Sequence, residues 1–236
     1  MRTAPLLLLL LALICAPRGV LAQAAAAARR LIEATPVAAR AGLLRPFNDA
    51  ARSDWHYTPR RRAGIAWREM GPAQREAATE LLRSALNERG LDKVRSVMAL
   101  EIALRELETF GLARDPDNYA IAIFGDPDHA AAPWGWRIEG HHLSLHWTLR
   151  GDAYVATLPQ FFGANPARVP RDAVKGPKAG TRVLGDEEDR ARALLMALPP
   201  AQRAAAVFDA RLFATSSPAT PHGRPRLISG ASFSVR

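Results

Sequence analysis

Cysteine is nearly missing from this 236-residue chain: the only one, Cys15, lies within the first 22 residues. Arg2, the leucine-rich run Leu6–Leu13, Pro17, Gly19 and the small-residue ending Val20-Leu21-Ala22 have the charged, apolar and cleavable layout of a secretory signal peptide. Cleavage after Ala22 is expected, giving an exported protein, periplasmic or secreted. The mature chain from Gln23 then has no thiol, which excludes disulfides, thiolate metal sites and a cysteine nucleophile. A second long apolar run is also missing. Nothing after the leader reaches the roughly 20 consecutive apolar residues of a membrane span, so no stable span is expected after cleavage.

Lysine is scarce, with only Lys93, Lys175 and Lys178, so the formal net charge of +9 is carried by arginine. Abundant alanine beside it fits a high-GC coding bias as well as a phosphate-binding surface. The one basic cluster, Arg60-Arg61-Arg62, lacks interleaved aromatics on a recognisable nucleic-acid fold, and no nucleic-acid partner is expected. Gly-rich phosphate loops, internal repeats and a G-x-S-x-G nucleophile elbow are all lacking.

What is present reads as α+β: a helical hairpin packed on a small antiparallel sheet, followed by a helical pair. Residues 23–50 open with an alanine run and are expected to be helical and mobile near the new N-terminus. Residues 51–210 form a single domain. Within it, Trp55–Trp67 is interrupted by Pro59 and Gly64 and predicts an extended stretch leading into a short strand. Ala77, Ala78, Leu81, Leu82 and Ala85 recur at helical spacing, with Gly90 as an expected C-cap. A second helix is expected from Leu91 to Phe110. Tyr119–Phe124 predicts a buried strand, Trp134–Leu149 one long strand, and Ala153–Leu158 a third. Asp186–Leu198, with its acidic first turn, and Ala201–Ala210 predict the closing helices. Arg211–Arg236 contains four arginines and no Asp, Glu or Lys, and reads as a disordered or frameshifted tail.

The densest polar segment places Glu139, His141, His142 and His146 within eight residues. Neutral imidazole and carboxylate are ligands for zinc, copper or iron, so His141 and His142 are candidate ligands of a divalent transition metal. On one continuous strand, His142 and His146 share a face about 13 Å apart and cannot hold one ion together. His141 falls on the opposite face with Glu139, Leu143, Leu145 and Trp147. Glu139, His141 and His142 are the candidate catalytic residues, Glu139 orienting the His141 ring. The bland alternative is a core strand with a satisfied ion pair and a hydrogen-bonded histidine at its margin. Trp55, Tyr57 and Arg62 are candidates to clamp an anionic or sugar-like ligand by stacking and bidentate bonds, with Asn165 presenting its amide nearby. Against that stands simple packing of the aromatics over the helical hairpin. Glu101, Arg105 and Glu108, at i+4 and i+3 spacing, read as exposed ion pairing.

Several of these elements recur together in one family. They include Trp55-x-Tyr57-x-Pro59-x-x-Arg62-x-Gly64, Gln74-Arg75, Glu101 with Leu104-Arg105, Asp115-Pro116-x-x-Tyr119 and Phe124-Gly125-x-Pro127. Trp134-Gly135-Trp136-Arg137-x-Glu139-Gly140-His141-His142-Leu143-Ser144 and Pro159-x-Phe161-Phe162-Gly163-Ala164-Asn165-Pro166 complete the set. From about Arg52 to Ala210 the chain resembles the N-terminal half of the exported bacterial domain-of-unknown-function family numbered 3500. The resemblance brings no established reaction. It implies a second half with an Asn-His-x-His strand motif that this sequence lacks, and a non-histidine at the position of His146. The expectation is an exported, metal-dependent enzyme lineage impaired by C-terminal truncation, with sheet edges left open. The competing expectation is a non-catalytic envelope module binding a small-molecule or envelope ligand, or a purely structural protein.

Overall fold

Helix α1 (Arg18–Ala34) packs its alanine-rich side directly into the core. A computed structural model describes residues 18–108, 114–129, 131–151 and 153–207, with side chains from Ala24 onward. The expected leader and acid-free tail therefore lie mostly outside the described residues. Ala24, Ala27, Ala28 and Leu31 fall at i, i+3, i+4 and i+7, and all are at most 1% exposed. Methyl-sized side chains let α1 approach α3 (Pro72–Ala85) closely, against Ala77, Ala78, Leu81 and Leu82. At the end of α1 the buried Thr35 hydroxyl donates to Leu31 O at 2.7 Å and accepts from Gln74 Nε2 at 3.2 Å. The segment expected to be mobile is thus part of the core, and the expected cleavage after Ala22 would leave every one of these buried residues in place.

Two residues, Leu86 and Asn87, join α3 to α4 (Glu88–Leu107). The Asn87 side chain accepts from Gly90 N at 2.9 Å, so Gly90 lies in the first turn of α4 rather than capping α3. The helix ends at Leu107, with Glu108 already extended, short of the expected end at Phe110, which itself lies outside the described residues. Helix α2 (Val37–Leu43) runs directly into strand β1.

A mixed sheet carries the order β1(Leu44–Arg45)–β3(Ala120–Phe124)–β4(Pro133–Gly140)–β5(Leu143–Arg150)–β6(Ala153–Ala156). In addition β2 (Ile65–Ala66) pairs with β3, and β7 (Gln160–Phe162) with β5. The α+β class is as expected, but the sheet is not wholly antiparallel, because β1 joins β3 in parallel.

The largest departure is at Trp134–Leu149, which is not one strand. Gly140 pairs with Leu143, so His141-His142 is the two-residue turn of a β-hairpin, with His142 at φ +57°. Folding back reverses the expected face assignment. Trp134, Trp136 and Ile138 line up with Leu149, Trp147 and Leu145 on the core face, where Trp136 and Trp147 stack with centroids 4.0 Å apart. The other face carries Arg137 and Glu139 opposite His146 and Ser144.

Helices α5 (Gly185–Ala197) and α6 (Pro200–Ala206) match the expected closing pair, and the described residues 186–207 belong to a second compact unit. Their turn is held by Arg203 Nη2 donating to Met196 O at 2.8 Å and Leu198 O at 3.1 Å. No residue of either helix is buried.

Candidate functional site

Segment 51–62, irregular apart from a 3₁₀ turn at Ala50–Arg52, covers the polar face of the β4–β5 hairpin. An irregular backbone leaves carbonyls without a ladder partner, and under cover they need donors. Arginine supplies them. Arg62 donates to the carbonyls of Arg60 (2.7 Å), His56 (3.1 Å), Thr58 (2.7 Å) and Gly140 (2.9 Å), and Arg137 to those of Ala51 and Asp54. Glu139, fully buried, balances the charge. Its Oε1 accepts from Arg62 Nε at 3.0 Å and His56 N at 3.1 Å, and its Oε2 lies 2.9 Å from Arg137 Nη1.

His146 closes this cluster. Its Nε2 is 3.0 Å from Ser144 Oγ and 3.7 Å from Glu139 Oε2, and its Nδ1 is 3.2 Å from Arg52 O. Expected roles change accordingly. Glu139 does not orient His141, and Arg62, with its side chain 3% exposed, is spent inside the protein rather than on a ligand.

The His141-His142 turn is different. Its backbone is anchored on every side: Tyr119 Oη donates to His141 O at 2.8 Å, His142 N to Tyr57 O at 2.8 Å, and Gly163 N to His142 O at 2.7 Å. Two glycines make this closeness possible. A Cβ on Gly140 would stand 2.0 Å from the Tyr119 ring, and one on Gly163 would stand 2.6 Å from His142 Nδ1.

The side chain that orients His141 comes from α4. Glu101 Oε1 accepts a hydrogen bond from His141 Nδ1, because a carboxylate in contact with a ring nitrogen needs that nitrogen's proton between them. Arg114 Nη1 stands 3.2 Å from the same nitrogen and 3.9 Å from Glu101 Oε2. Glu108 fixes that guanidinium with a bidentate pair at 2.7 and 2.8 Å. Both Glu101 and Arg114 are buried. His141 is buried apart from a margin, its side chain 10% exposed, and its Nε2 makes no hydrogen bond among the described residues.

His142 stacks edge-on against His141, with centroids 4.3 Å apart. Burial, reinforced by the neighbouring His141 and Arg114, pushes its pKa down to about 4, so the ring is neutral at pH 7. Its Nδ1 is buried and has no hydrogen-bond partner among the described residues.

Beside the turn lies an aromatic patch open to solvent. Phe161, brought in by the pairing of β7 on β5, has its ring 5.7 Å from Trp55 and 5.4 Å from Tyr57. Trp55 and Tyr57 are 38% and 45% exposed, and Tyr57 meets His142 edge-on at 6.0 Å. The residues expected to serve two competing functions, His141 and His142 for one and Trp55 and Tyr57 for the other, thus form one surface. Asn165 is half-buried, and its amide makes no hydrogen bond among the described residues.

Sequence reasoning took Glu101 for an exposed ion-pairing residue, whereas it is buried against His141 and Arg114, and it passed over Arg114 and Phe161 as site residues. For Glu101 a signal was present: it falls three and four residues from Leu104 and Val97, on the apolar stripe of α4, where a carboxylate needs a buried partner. A metal centre finds less support. Among the described residues, no group of three His, Cys, Asp or Glu side chains is placed to hold an ion, and Arg114 sets a fixed positive charge against His141. Nor is any helix among them long and apolar enough to cross a membrane.

No curated protein and no solved structure matches the chain. A family model described as "Protein of unknown function (DUF3500)" matches residues 18–233, a wider span than the Arg52–Ala210 resemblance and one that includes most of the acid-free tail. With most of its length matched, including the hairpin, the aromatic patch and the α4 carboxylate, the chain belongs to the DUF3500 family.

Proposed function

We propose that the chain is an exported acid–base enzyme in which His141 Nε2 moves the proton and the Trp55–Tyr57–Phe161 patch holds a ring-bearing small molecule. One observation carries this reading. Glu101 occupies His141 Nδ1, which fixes the tautomer with a lone pair on Nε2; that nitrogen has no hydrogen bond among the described residues, and the adjoining His142 ring meets the exposed Tyr57. When Nε2 takes a proton, the imidazolium sits against the Glu101 carboxylate; Glu101 is a positioning residue. Arg114, locked by Glu108, keeps Glu101 facing the ring. His142 stays neutral and offers a second imidazole edge for a hydrogen bond without adding charge. Export rests on the leader-like residues 1–22.

The test is a panel of 4-nitrophenyl esters, glycosides and phosphate esters, assayed with and without EDTA. The expected result is EDTA-resistant turnover that falls about 10²–10⁴-fold in His141→Gln. Its pH profile should change in Glu101→Gln. Metal bound stoichiometrically and lost in a His141→Ala/His142→Ala variant would instead restore the metal-dependent reading, with His141 and His142 as ligands.

A second reading is favoured by the aromatic exposure itself: a non-catalytic envelope module binding a ring-bearing ligand on the same patch. It requires no turnover on any substrate, together with ligand affinity that is lost in Trp55→Ala and kept in His141→Gln.

A further inference from the structure

Segment 51–62 has a second working side. Past Tyr57 it enters a cavity of about 360 Å³ lined by Arg60, Arg61, Arg62, Arg68, Glu69 and Asn118. The cavity exists because its floor is small: Ala66 of β2 pairs with Ala120 of β3, and neither side chain fills the space above the sheet. Four arginines and one carboxylate residue contribute to its lining. Glu69 is already engaged, since its Oε2 accepts from Ala66 N at 2.8 Å.

The four arginines are held differently. Arg62 is bound to Glu139 and to backbone carbonyls, and acts as fixed positive charge in the wall. Arg60 pairs with Asp54 at 2.6 Å and Arg68 with Asp115 at 3.3 Å, with each arginine side chain 37% or more exposed. Pairs at that exposure are worth at most about 1 kcal/mol, and an entering anion can replace them. Arg61 is exposed and has no acidic partner among the described residues. Asn118 adds an amide for a neutral oxygen.

We infer that this cavity is a binding site for a small oxyanion-bearing molecule, of the phosphate or sulfate class. Forked guanidinium donors match the paired oxygens of such groups, and the space is at the small-ligand end of the usual range. The site is independent of the acid–base reading. It does not use His141, and His141→Gln should leave its affinity unchanged.

The experiment is calorimetric titration of the full protein with pyrophosphate, inorganic phosphate and sulfate at 50 mM and 300 mM NaCl, with glucose as the neutral control. The expected result is pyrophosphate binding tighter than about 1 mM at low salt, weakened at high salt, with glucose silent. Arg61→Ala should weaken it about fivefold or more, and Arg61→Ala/Arg68→Ala should abolish it while the melting temperature without ligand stays near that of the parent. Those side chains are chosen because neither stitches the fold. Absence of binding to all three anions would overturn the proposal, as would equal affinity in the double variant. So would binding to a duplex oligonucleotide or to anionic vesicles without binding to the small anions, since that would make the arginines a macromolecular surface.

Discussion

Two histidines five residues apart in sequence, His141 and His146, each face a carboxylate, and the two pairs have opposite characters. His146 faces Glu139 inside the polar face of the sheet. One of its nitrogens meets Ser144 and the other Arg52 O, and the carboxylate is consumed by two arginines. His141 faces Glu101 at the hairpin turn, with one nitrogen engaged, the other without a hydrogen bond among the described residues, and the ring of His142 between it and Tyr57. Residue type does not separate them; saturation does. Where both ring nitrogens have an internal partner the histidine helps hold the covering segment in place, and where one is spared the histidine can act on something else.

The comparison is broken most forcefully at Glu139. Glu139→Ala leaves Arg62 and Arg137 buried without their counter-charge, and a loss of about 3–5 kcal/mol is expected in urea unfolding. His146→Ala strands the Ser144 hydroxyl and Arg52 carbonyl, for about 1–3 kcal/mol, with ligand binding at the aromatic patch retained in the folded fraction. Gly140→Ala is expected to cost about 1–3 kcal/mol, since the Tyr119 ring must move and its hydrogen bond to His141 O is lost. Trp55→Ala should change stability by less than about 1 kcal/mol yet lower affinity for ring-bearing ligands about tenfold, read by titration.

The smallest effect sharpens the comparison through pH. The folded pKa of His142, about 4, lies below the 6.5 of the unfolded chain, so between those values the unfolded state binds more protons. Stability is therefore fully present above pH 6.5 and declines as pH falls toward 4. Because the ring is only part-buried the slope is shallow. His142→Asn, which tolerates the same positive φ, should flatten it in melts run from pH 7 to pH 4.

Much of the fold was legible in the sequence. Apolar spacing located α3, α4 and β3, and the closing helices fell within a few residues of their expected places. The hairpin was missed because its turn is His141-His142, without the Gly, Asn or Asp that announces a tight turn. Its signature lay elsewhere. Large apolar residues occupy even positions at 134, 136 and 138 and odd positions at 143, 145, 147 and 149, and a two-residue turn produces that change of parity. The histidines and the aromatics were legible as candidates, but their union was not. Tyr57, His142 and Phe161 come together through backbone bonds between segments up to about a hundred residues apart. Arg62 was misread because a guanidinium on an irregular segment looks the same in sequence whether it awaits a ligand or ties its own loop.

Diethyl pyrocarbonate labelling of the native protein at pH 7, resolved by peptide mass spectrometry, tests the division between the two pairs most directly. Carbethoxylation requires an accessible, unprotonated imidazole nitrogen. The expected result is modification of His141 and His142, each with a ring nitrogen free of hydrogen bonds among the described residues, slowed by ligands of the Trp55 patch, with His146, both of whose nitrogens are engaged, unmodified until the protein unfolds. Labelling of His146 at the rate of His141, or protection of His141 in the native state, would contradict the account.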